Sequence, residues 1–67
     1  MTNQAKADYL ALLRSEEAAI ILSVNFWGQQ PAIETMGEIW VQAHLQGLRL
    51  QLHNIQQGIV DMEKALA

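Results

Sequence analysis

Hydrophobic and polar positions alternate along this chain with a helical period. From Val41 onward, apolar residues recur at Leu45, Leu48, Leu52, Ile55, Ile59, Met62 and Leu66, in steps of four and three without a miss. A seam sustained for more than three heptads predicts an amphipathic helix that buries one stripe. Its flanks hold Gln42, Gln51, Gln56, Gly58 and Ala65, where a parallel two-stranded coiled coil would usually set Glu against Lys. Small or uncharged flanks fit the wider buried face of a bundle.

The first part of the chain carries a looser version of the pattern. Leu10, Leu13, Ile20, Val24 and Trp27 keep the heptad phase, Tyr9 and Ile21 broaden the stripe, and Glu17 stands where an apolar residue is expected. An ionised carboxylate facing a core is costly unless paired. Arg14, one turn away, or an arginine of another chain is the expected partner, and the pair would set the register. The run Ala18-Ala19-Ile20-Ile21-Leu22 wraps around more than one helix face and points to burial on two sides, which a lone hairpin does not provide.

Between the two stretches lies Trp27-Gly28-Gln29-Gln30-Pro31, with the single proline close to a glycine. This predicts a first helix over about residues 3–26, a turn over 27–30 and a second helix over about 31–66. Gly28 is expected to take a left-handed C-terminal cap, and Pro31 the first turn of the next helix, where its missing N–H costs nothing. So short a connection makes the helices antiparallel neighbours. Gly47 and Gly58, each costing about 1 kcal/mol in a helix interior, are the places where the second helix would fold back if it were interrupted. Phe26, Trp27 and Trp40 are expected to close the turn end as an aromatic plug, with a partner-binding patch as the rival role.

Length changes the picture next. At 67 residues the chain is a single domain, residues 1–67, and a chain this short buries only roughly 60% of its unfolded surface. It has no cysteine, so neither disulfides nor thiolate metal sites can staple it. At ~1.5 Å per residue the first helix would span roughly 36 Å and the second roughly 54 Å. Ile55, Ile59, Met62 and Leu66 would then overhang their partner helix and meet another chain. The expected fold is therefore all-α, an antiparallel two-helix hairpin assembling into a homodimeric four-helix bundle, with the seam Val41 to Leu66 as the self-association surface. A larger protein is the alternative partner.

Charge and chemistry narrow the functions. The formal charge is -3, with Lys6, Arg14, Arg49 and Lys64 scattered along the chain, which disfavours nucleic-acid binding. The longest apolar run, Ala18 to Leu22, is far shorter than the ~20 residues of a membrane span, and no signal-peptide pattern opens the chain. A cytoplasmic location is the default expectation, with signal-less secretion as the alternative. His44 and His53, nine apart, fall on nearly opposite sides of one helix and cannot share an ion. Glu34, Glu38 and Glu17 could be drawn as a carboxylate cluster, but the Glu-x-x-His element of di-metal bundles is missing, and acidic residues early in a helix favour its dipole. With no nucleophile–base pair and no phosphate loop, neither catalysis, cofactor, metal nor small-molecule substrate is expected.

Three resemblances to helical hairpins can be traced. Met1-Thr2-Asn3-Gln4-Ala5-Lys6, with the acidic balance and the length, resembles the plasmid Rop family, which implies a dimeric four-helix bundle that binds paired RNA loops. Phe26-Trp27-Gly28 with Trp40 is similar to secreted WxG-type hairpins, although tryptophan and glycine are adjacent here. A proline-bearing turn before a long second helix is similar to type III secretion needle subunits. The leading expectation is a non-enzymatic interaction or assembly protein, a self-associating adaptor or regulator. Behind it stand a small inhibitor or adaptor that inserts its second helix into a larger target, then a secreted or filament-forming subunit, and last an RNA-binding regulator of the Rop kind.

Overall fold

The computed structural model describes residues 2–67, which form three α-helices: α1 (Asn3–Trp27), α2 (Gln30–Met36) and α3 (Glu38–Leu66). Helix α1 starts at Thr2, an extended residue whose Oγ1 accepts the Ala5 N–H at 3.1 Å. That bond satisfies one of the free donors of the first turn. Helix α1 packs along α3. Trp27 meets Trp40 and His44 at one end, while Leu10 and Leu13 meet Ile59 at the other, so the two helices run antiparallel. The molecule is a rod of 47 × 14 × 14 Å, one layer of two long helices with α2 across one end.

The long second helix expected over 31–66 is interrupted, and at neither Gly47 nor Gly58. It breaks at Gly37, which ends α2 and opens α3. Gly37 has φ 88° and ψ 146°, a region that only glycine enters without strain. Its N–H donates to the Ile33 carbonyl at 2.8 Å and its own carbonyl accepts the Val41 N–H at 3.1 Å, so one residue serves both helix ends. The left-handed cap expected at Gly28 is not formed: Gly28 stays right-handed at φ -80° and ψ -4°, and its N–H completes a last helical bond to Val24. The chain turns instead at extended Gln29 (φ -87°, ψ 151°), and Pro31 lies in the first turn of α2 as expected.

This break removes the length mismatch. With seven residues folded into α2, the remaining helices have 25 and 29 residues, roughly 37 and 43 Å at ~1.5 Å each. The predicted overhang is thereby corrected. Ile59 is 8% exposed between Leu10 and Leu13, and Ile55, Met62 and Leu66 pack against the same cluster within the chain. At the other end Ala32, Val41 and Leu45 are buried, beneath the aromatic residues of the corner.

Candidate interaction surface

Every residue of the α3 seam faces inward. Val41, Leu45 and Ile59 are buried, and Leu48, Leu52, Ile55, Met62 and Leu66 are half-buried. Within the chain α1 packs along this seam and leaves five of its eight residues partly exposed. Within the chain, the expected Arg14–Glu17 pair is not the one formed. Glu17 is half-buried, but Arg14 reaches across to α3 instead, its Nη2 lying 3.9 Å from Glu63 Oε2. Both side chains of that pair are more than half exposed, and an ion pair in water contributes ~0–1 kcal/mol. The carboxylates of the drawn cluster are divided by Gly37, with Glu34 on α2 and Glu38 on α3. Glu34 accepts from Gln30 Nε2 at 3.5 Å.

The aromatic residues do gather. Phe26 meets Trp27 edge-on at 5.1 Å, and Trp27 meets Trp40 at 5.1 Å with a 58° tilt. His44 joins them, which the sequence pattern did not suggest: its ring stacks on Trp40 at 5.0 Å and 22°, and Trp27 approaches it edge-on at 5.1 Å. Trp40 and His44 are one turn apart on α3, so helical spacing stacks them, and the end of α1 supplies the third ring. Aromatic pairs in such geometries contribute ~0.5–1.5 kcal/mol beyond their buried area. The cluster fastens the last turn of α1 to the first turns of α3. His53 is exposed on α3, apart from it.

Two concavities open on the surface. A cavity of about 220 Å³ lies at the corner between α1 and α2, lined by Phe26, Trp27, Pro31, Ala32 and Met36 among others. A shallow groove of about 460 Å³ runs between α1 and α3 and is lined by Glu16, Ala19, Ile20, Gln51, Asn54 and Ile55. Among the described residues no helix is long and apolar enough to cross a membrane, and no three metal-ligating side chains come together.

What the seam residues leave open is the far side of both long helices, with Ile39 and Leu50 exposed on α3 and a further set on α1. Leu12, Leu22 and Phe26 are 53%, 70% and 58% exposed, and they lie on the face turned away from buried Leu10 and Leu13. Ser15, also exposed, lies between them, and exposed Ala19 stands at the edge that borders the groove toward α3. The sequence carried this signal in the steps 12, 15, 19, 22, 26, which alternate three and four, but two small residues in the middle conceal it. Comparison with family models, curated proteins and solved structures finds no match to this chain.

Proposed function

We propose that this chain is a non-enzymatic assembly protein, a helical hairpin that works by associating with a second copy of itself as an adaptor or regulator. The observation that carries this reading is a surface too large for the mass. The chain exposes 4784 Å² at 7.5 kDa, roughly 500 Å² more than surface scaling gives for a compact monomer of that size. A single layer of two helices has no second layer to cover its outer faces, and of the described side chains only Val41 among the large ones is fully buried. Both concavities are open clefts: the corner one has Gln29 and Thr35 among apolar side chains, and the groove has Glu16, Gln51 and Asn54 beside Ala19, Ile20 and Ile55. Neither brings together a nucleophile and a base, which favours packing of another helix over the positioning of a reaction.

The test is solution mass over a concentration series, by sedimentation or light scattering, with helicity followed on the same samples. A helical dimer is the expected result. A helical chain that stays monomeric at all concentrations overturns the reading.

A further inference from the structure

We infer that the aromatic corner is a proton-responsive clamp, in which the imidazolium form of His44 holds the end of α1 on α3 more tightly than the neutral ring does. This goes beyond self-association and does not depend on it, because every group involved lies in one chain. His44 stacks on Trp40 at 5.0 Å and 22°, inside the ~6 Å at which a cation is attracted to the face of an indole. Trp27, with its ring 5.1 Å from the same imidazole, is the last residue of α1, so the C-terminal end of that helix is brought to His44. A helix end of this kind carries partial negative charge and favours a cation. No basic residue lies in the last turn of α1, and the sequence has no lysine or arginine between Arg14 and Arg49. Protonation of His44 supplies the missing cation.

The charged groups around the corner leave that role to His44. Along α1 no ionisable residue stands between Glu17 and Trp27, α2 brings Glu34, and α3 brings Glu38 before Trp40 and Arg49 after His44. The positions three and four residues from His44 hold Trp40, Val41, Gly47 and Leu48, so no charged side chain shares its face of α3. The ion pair between the helices, Arg14 with Glu63, lies toward the other end of the rod. His44 is half-buried, and water can deliver or remove the proton. Because the imidazolium is held better in the folded chain than in the unfolded one, the folded chain binds more protons through the histidine range. Stability is therefore greatest below about pH 6.5, the ordinary midpoint of an imidazole, and falls as pH rises through and beyond it.

The experiment follows the full chain at one protein concentration from about pH 5 to about pH 8, a range in which histidine titrates and exposed carboxylates stay ionised. Both tryptophans of the chain lie in the corner, and an imidazolium in contact quenches indole emission, so their fluorescence reports on the clamp directly. On acidification the wild-type emission should fall along a single titration while the thermal midpoint rises by roughly 4–8 °C, the shift that a cation–aromatic contact gives a chain of this length. His44→Phe keeps an aromatic ring beside Trp40 and carries no proton, so both changes should vanish. His53→Gln, at the exposed histidine outside the corner, should retain both. A wild type whose emission is flat over this range, or whose midpoint does not rise on acidification, overturns the clamp without recourse to any variant. A pH dependence that survives His44→Phe, or that is lost in His53→Gln, overturns it as well.

Discussion

At Gly37 a single backbone conformation decides the topology of the molecule. An added Cβ there would meet nothing within 4 Å, so the requirement for glycine comes from φ 88° and not from crowding. Gly37→Ala should cost roughly 1–3 kcal/mol, seen as a lower denaturant midpoint. Gly47 gives the opposite case. It lies inside α3 with open space around its missing side chain, so Gly47→Ala should stabilise the chain by about 0.5–1 kcal/mol. Gly58 differs again, because its Cβ would lie 3.5 Å from a Leu13 methyl, an ordinary contact that would extend the core. Three glycines in one half of the chain thus have three different roles, and only the backbone angles and neighbours separate them. That is why the sequence pattern predicts a continuous helix over 31–66 and does not single out Gly37. Composition gives the cost of glycine in a helix, which is the same at 37, 47 and 58, while the benefit of turning at 37 depends on where Val41 and the aromatic rings must land.

At the scale of the helices, the α3 seam was legible residue by residue, and its partner was not. Heptad spacing states that a stripe is buried, yet it carries no information on whether the covering helix belongs to the same chain. The answer came from the seven residues of α2, which shorten α3 enough for α1 to cover it. Ile59 tests this directly. Because it is buried between Leu10 and Leu13 of its own chain, Ile59→Asp would place an unpaired charge in the hairpin core and should cost roughly 4 kcal/mol or more. Far-ultraviolet circular dichroism should then show lost helicity even at concentrations where the wild type is saturated. A folded, helical Ile59→Asp monomer would mean that this residue belongs to an interface between chains after all. The aromatic corner shows the same division. Phe26, Trp27 and Trp40 could be grouped from their closeness to the turn, but His44 could not, since its place depends on α3 beginning at Glu38 and stacking it one turn beyond Trp40.

For the whole molecule, thinness is the governing property. Among the described residues, six buried apolar side chains are divided between two ends of a 47 Å rod, and the middle is held by half-buried residues such as Ile20, Val24, Leu48 and Leu52. A hairpin of this kind gains little from its own core, so a second copy that covers an outer face would supply a large share of the stability, and folding and association would be coupled. The thermal midpoint should then rise with protein concentration. A tenfold increase contributes about 1.4 kcal/mol to a dimer, and with the unfolding entropy of two such chains this corresponds to about 5 °C per decade. Scanning calorimetry over two decades of concentration measures the slope. A concentration-independent wild type would mean that two helices and a seven-residue cap are sufficient by themselves, with the close fit of the seam and the four-ring corner offsetting the exposed face of α1.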